Sequence, residues 1–298
     1  MEIGAPGESP EQGCRGMKRI VVGADGSAGA ANAIRWAAHL AELHQAELVV
    51  MTGFVPTDSE LPPRRVEALL TERQRQLETW CDTARIGDVQ VRTVVERGDP
   101  RQGILRVADR EQADLVVVGR IGRSAGPGLL HFGSVAEWLA HNSPVPVAVV
   151  GGAVSIPVRS VLVGADGSPG SRAALLWVRA LAEVADERIV VASVDQQYPE
   201  GTPATSPENW RTGLEDRIRA DLASDLTSAG VDFDAVALHG ANAADALLQA
   251  AKDERTDIVL VGARGLGGFT GLRIGGVALK TLHRSDRPVV LIPADTEM

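Results

Sequence analysis

Two aspartates stand at matching points of the chain, each ahead of a Gly-Ser pair. The segments are Gly23-Ala24-Asp25-Gly26-Ser27 and Gly164-Ala165-Asp166-Gly167-Ser168. A carboxylate in such a turn can accept a hydrogen bond from a ribose hydroxyl or an adenine amine. It would repel a phosphate unless a cation intervened. A second pair of loops is built from small residues. Gly119 and Gly122 are followed, after ten residues, by Gly133 and Ser134; Gly262 and Gly265 are followed, after nine residues, by Gly275 and Gly276. Glycine lets a phosphate reach main-chain N–H groups that a Cβ would shield. The final pair of each loop opens a helical pattern, GSVAEWLAH or GGVALKTLH, whose free N-terminal amides and dipole suit an anion. Together these residues have the chemistry of a nucleotide site, with the carboxylate on the sugar or base and the amides on the phosphates. Turn and capping geometry can also demand Gly and Asp at such places. In one copy alone the two explanations weigh equally; recurrence in both copies favours a nucleotide. Ser27 and Ser168 read as N-caps rather than nucleophiles.

Positioning these loops requires strands that end at them. Lys18 begins KRIVVGADGSAGAANAIRWAAHLAE and Arg159 begins RSVLVGADGSPGSRAALLWVRALAE. Asp25 and Asp166 are offset by 166 − 25 = 141, and Gly119 and Gly262 by 262 − 119 = 143. The chain is therefore one unit written twice. Within the first copy, short β-branched runs predict strands over Ile20–Val22, Leu48–Met51, Val91–Val95, Leu115–Val118 and Val147–Val150. Runs that are apolar on both faces suit a parallel sheet covered on two sides. Helical patterns lie between them, with Val66, Leu69, Leu70, Leu77, Trp80, Cys81 and Ala84 in one copy and Trp210, Leu214, Ile218, Leu222 and Leu226 in the other. Pro100, after Gly98 and Asp99, marks a helix start. The predicted fold is α/β, with two tandem doubly wound five-stranded parallel-sheet domains. The first spans residues 18–151 and the second 158–294, with a flexible tail over 1–17 and a linker over 151–157.

Composition narrows the function classes. A net charge of −9 argues against a nucleic-acid partner, which needs basic surface. No apolar run is long enough to span a membrane. With two cysteines, Cys14 and Cys81, in neither metal nor redox spacing, a reducing cytoplasmic setting is the default expectation. Cys81 reads as a core residue beside Trp80.

The paired Asp turns and Gly loops resemble the universal stress protein family, over nearly everything after residue 17. Its ATP-binding branch carries G-x2-G-x9-G-[ST] after the fourth strand, an Asp after the first, and a Val after the second that touches adenine. The resemblance implies an adenine nucleotide α-hydrolase-like fold holding ATP, with Mg²⁺, for regulation in a stress or growth-arrest response rather than for catalysis. In copy two it assigns Ala165, Asp166, Val194, Gly262, Gly265, Gly275, Gly276 and Val277, with Gly276 where a hydroxyl residue is expected. In copy one it assigns Ala24, Asp25, Gly119, Gly122, Gly133, Ser134 and Val135. There Gly53 stands in the Val position, and one extra residue, near Gly126-Pro127-Gly128, precedes Gly133. Copy two is the better match. The family also implies pairing through the final strands, 146–150 with 288–292, and a possible homodimer.

Two rival functions remain open. One is a degenerate scaffold that works through protein partners without nucleotide. The other is an ATP-dependent ligase or slow ATPase of the same sheet plan. Against it, the doubled Gly of the ligase loop is missing from GADGS, no G-x4-GK-[ST] loop occurs, and no base or metal cage is legible. His131 is the one histidine placed to meet phosphate, and it reads as an exposed loop residue. Lys280, one helical turn past Gly276, reads as a surface residue.

Overall fold

The computed structural model describes residues 16–55, 62–84, 87, 89–122, 132–152, 154–182, 188–196, 207–266 and 274–296. The first copy runs β1 (Arg19–Gly23), α1 (Ala28–His44), β2 (Glu47–Phe54), α2 (Pro63–Ala84), β3 (Val91–Arg97), α3 (Pro100–Glu111), β4 (Leu115–Gly119), α4 (Ser134–Asn142) and β5 (Val147–Val150). The second runs β6 (Ser160–Gly164), α5 (Pro169–Ala182), β7 (Arg188–Asp195), α6 (Pro207–Arg217), α7 (Ser224–Ser228), β8 (Asp234–His239), α8 (Ala243–Asp253), β9 (Ile258–Gly262), α9 (Gly276–Arg284) and β10 (Val289–Ile292).

The ten strands form one sheet in the order β3-β2-β1-β4-β5-β10-β9-β6-β7-β8. Each half is parallel throughout; the halves meet where β5 and β10 pair antiparallel, with Val289 opposite Val149, Val290 opposite Ala148 and Leu291 opposite Val147. Alternate residues of each strand feed two cores. Ile20 and Val22 join Trp36, Ile34 and Trp177 on one face, while Val21 joins Ile104, Val107 and Leu139 on the other. This is the doubly wound arrangement that strands apolar on both faces require. Cys81 lies in the first of these cores, and burial, with Asp82 and Glu78 nearby, pushes its thiol up to about 11.

Two details differ from the sequence-based expectation. Met17 is 3% exposed and packed in the core, so the packed domain includes a residue ahead of the boundary placed at residue 18. Cys14 and the remainder of the predicted tail to residue 15 lie outside the described residues. In the second copy, the stripe from Trp210 to Leu226 is not one α-helix. Between α6 and α7, Ile218–Leu222 form a π-helical turn, closed by the Ala223 amide donating to the Ile218 carbonyl at 2.8 Å. The reason is in the spacing. Apolar residues every four positions drift around a helix of 3.6 residues per turn, and one wide turn brings the stripe back into phase. Ile218 and Leu226 are both fully buried as a result.

Candidate functional site

In each half, strand order reverses beside the first strand: β1 lies between β2 and β4, and β6 between β7 and β9. The carboxyl ends of these strands form the crevice in which open α/β sheets bind ligands. Both Asp turns sit there, with Gly119, Gly122 and Gly133 of one Gly loop and Gly262, Gly265 and Gly275 of the other.

In copy two, Asp166 is exposed just past β6. Its Oδ1 accepts the Ser168 amide at 2.9 Å and its Oδ2 accepts the Leu266 amide at 3.2 Å. Ser168 caps α5, its Oγ accepting the Ser171 amide at 3.1 Å and donating to the Arg264 carbonyl at 3.2 Å. Copy one repeats the design. Asp25 Oδ1 accepts the Ser27 amide at 3.0 Å, and Ser27 Oγ accepts the Ala30 amide at 3.1 Å. Both serines are thus caps, as their sequence context predicts.

The glycines divide by what a side chain would strike. A Cβ at Gly265 would lie 2.6 Å from Asp166 Oδ2, and one at Gly122 would lie 2.7 Å from Asp25 Oδ2. These two glycines let the loop close onto the carboxylate. At Gly262 a Cβ would lie 2.4 Å from the main chain of Gly170, and at Gly119 it would lie 2.6 Å from that of Gly29. Those two allow helix and strand to touch, a packing task that the ligand-loop assignment did not include. Gly276 has nothing within 4 Å, so it borders open space.

The N-caps of α4 and α9, Gly133 and Gly275, make no side-chain cap hydrogen bond, as is also true of the short α7, whereas α1, α3 and α8 are capped by Ser27, Asp99 and Asn242. The first amides of a helix have no partner within it. The N-terminus of α9 borders a cavity of about 950 Å³ lined by residues that include Ala165, Asp166, Val194, Gly262, Gly265, Gly275, Gly276 and Val277. All eight copy-two residues predicted from sequence therefore come together. The volume lies in the range of small-molecule sites.

Sequence reasoning missed other residues of this cavity, among them Asp195, Arg217, Ala243 and Lys280. Lys280 is exposed, as expected, yet it also lines the cavity one turn along α9. Arg217 comes from the end of α6, and its position next to Ile218 of the apolar stripe was the available signal.

Copy one gathers Asp25, Gly119, Gly122 and Gly133 at the equivalent point, with the Gly133 amide donating to the Arg120 carbonyl at 2.8 Å. Ala24 is buried behind the turn, and Ser134 and Val135 open α4. The extra loop residue and His131 lie outside the described residues. At Gly53 a Cβ would lie 2.8–2.9 Å from the ring and Cα of Pro100. The proline therefore takes the room that a side chain at Gly53 would need, whereas in copy two the residue that opens α8 beside Val194 is the smaller Ala243.

Among the described residues, no group of three His, Cys, Asp or Glu side chains could hold a metal, and no helix is long and apolar enough to cross a membrane. The model of the Universal stress protein family matches residues 16–151 and 157–293. A universal stress protein of Mycolicibacterium smegmatis is 29% identical over 290 residues, covering 92% of this chain and 96% of its own. One from Mycobacterium tuberculosis is 28% identical over 314 residues, with 93% and 96% covered. The crystal structure of a universal stress protein from Archaeoglobus fulgidus superposes with a TM-score of 0.69 at 17% identity, covering 93% of this chain and 98% of its own, which supports the fold.

Proposed function

Since the chain belongs to the universal stress protein family, we propose that it is a regulatory nucleotide sensor that holds ATP in the cavity at the carboxyl ends of β6 and β9. The main support is the α9 N-terminus: a helix left without a side-chain cap, bordered by Gly275 and Gly276, opening into a cavity that also contains Asp166. Uncapped amides and the helix dipole favour an anion there, each such interaction contributing about 0.3–1 kcal/mol at exposed sites. Lys280 adds a positive charge on the same helix. Asp166 stands near enough to the Gly loop to receive a sugar hydroxyl or a base amine while its oxygens hold the turn. Val194 supplies an apolar wall for the base.

Mg²⁺ would arrive on the phosphates, since no described cluster of side chains forms a cage for it. Among the described residues of the cavity, none is arranged as a nucleophile with its base: Ser168 Oγ is committed to the α5 cap and the Arg264 carbonyl. Retention of ATP, not turnover, is the function this arrangement suits.

The test is to strip the purified protein of nucleotide and titrate it with ATP and Mg²⁺ in a calorimeter. Saturable binding is expected, weakened at least tenfold by Asp166→Ala, with no product formed on prolonged incubation. Folded protein that ignores millimolar ATP would sink the sensor reading and leave a scaffold for protein partners. Release of a product would replace it with an enzyme.

A further inference from the structure

Arg120 follows Gly119 in the copy-one loop, but its side chain leaves that site. Its amide donates to the Val150 carbonyl at 2.8 Å, and its carbonyl accepts the amide of Gly133, the N-cap of α4, also at 2.8 Å. The main chain of Arg120 is therefore part of the frame that holds the start of α4. Its guanidinium crosses into the second copy. Nη1 donates to the Ser285 carbonyl and Nη2 to the His283 carbonyl, both at the C-terminal end of α9. Phe132, the residue before Gly133, stacks on the His283 ring at 4.6 Å with 18° between planes, and the guanidinium lies 5.9 Å from the Phe132 ring centre. Gly151 leaves room for the crossing, since a Cβ there would lie 2.9 Å from Arg120 Cδ.

The helix so gripped is α9, whose other end presents Gly276 to the copy-two cavity. A nine-residue helix is a rod about 13 Å long. A cation at its C-terminus also complements its dipole. The copy-two residue that matches Arg120 is Ala263, whose methyl group is too short to make the same crossing. Burial lowers the Arg120 guanidinium from its ordinary value, against the pull of Asp286 nearby, which fits a group held inside a junction and not one waving in solvent.

We propose that the two nucleotide sites are coupled: filling the copy-one site tightens the copy-two site through Arg120 and α9. This rests on the nucleotide reading above and extends it to the matching copy-one residues Asp25, Gly122 and Ser134. A phosphate on the Ser134 and Val135 amides steadies the start of α4, and with it Phe132 and, through the Gly133–Arg120 hydrogen bond, Arg120. That in turn steadies the far end of α9, so its N-terminal amides are ordered before a ligand meets them. The second ligand then bears less of the ordering cost, which is positive coupling without a large movement. Coupling free energies of this type correspond to changes of about 5–150-fold in affinity.

The test uses the full chain with ATP and Mg²⁺ in calorimetric titrations. Wild type should fill two sites. Asp25→Ala, which empties the first, should weaken the second about fivefold or more. In an Arg120→Ala background, Asp25→Ala should leave the second site unchanged. The proposal is overturned if Asp25→Ala does not alter the second site, if the effect survives intact without Arg120, or if wild type fills only one site. In all three cases the nucleotide reading stands. Failure of ATP to bind anywhere removes that reading first. Because Arg120→Ala also weakens a domain junction, a second measurement avoids it. With the second site disabled by Asp166→Ala, ATP should raise amide-exchange protection along Val277–Arg284. Unchanged protection there, with ATP bound at the first site, overturns the coupling as well.

Discussion

At the residue scale, the site is a set of glycines with different duties. Gly265 and Gly122 make room for a carboxylate, Gly262 and Gly119 for a neighbouring main chain, and Gly276 for nothing in the protein itself. The last is the informative one. A residue placed there meets open space, so a side chain can be added without disturbing the fold. Gly276→Ser should restore a hydroxyl beside the α9 amides and improve ATP affinity by about fivefold, the worth of about 1 kcal/mol for one added hydrogen bond. Isothermal titration against wild type measures it; equal affinities would mean that phosphate does not lie over Gly276. The Asp turns and the loop spacing were legible because each is a short motif, repeated. The role of Pro100 was not. It stands 47 residues after Gly53 in the chain (100 − 53 = 47), and only the folded sheet shows that its ring fills the space a valine would have taken.

At the scale of elements, strands and most helices followed from apolar periodicity, since each is fixed by its own local pattern. Departures arose where an element answers to its neighbours. The second-copy stripe needed a π-turn to stay on one face, and Met17 joined the core ahead of β1. Helix α1 carries a further case at its end. Both ring nitrogens of His44 are buried and have no hydrogen-bond partner among the described residues. Burial drives its pKa down to about 4 from 6.5, against the Asp114 carboxylate that pulls it up. Below pH 6.5 the unfolded chain binds a proton that the folded chain refuses, so stability falls as pH drops from about 6.5 toward about 4 and then levels off for this group. Urea unfolding of wild type and His44→Leu at pH 7 and pH 5 should show a smaller loss in the variant. Parallel losses would mean that the imidazole is solvated in the folded state.

At the scale of the whole molecule, the two copies close on each other through the strands that would otherwise be exposed edges. All four residues of β5 and all four of β10 are buried. The pairing is centred on equivalent positions: Ala148 faces Val290, and 290 − 148 = 142 is the same offset that relates Gly133 to Gly275 (275 − 133 = 142). Pairing centred on equivalent residues has local two-fold symmetry, so either final strand presents the geometry its partner needs. The intact chain consumes both edges internally, and any association of chains must use another surface. Separating the copies changes that. The second copy alone, from residue 157 onward, would bare β10 along an apolar edge, which is a template for pairing. It is expected to form a dimer in which Val290 lies opposite its own counterpart, and sedimentation velocity at micromolar concentration distinguishes this from a monomer. Pairing between two second copies would also lack Arg120, because that residue belongs to the first. Such a dimer should keep the strand ladder yet lose the grip on the far end of α9. Nucleotide affinity measured in it would then report the second site without its neighbour's contribution. A second copy that stays monomeric and folded would show instead that β10 tolerates exposure, and that the apolar ladder alone is too weak to hold two copies together.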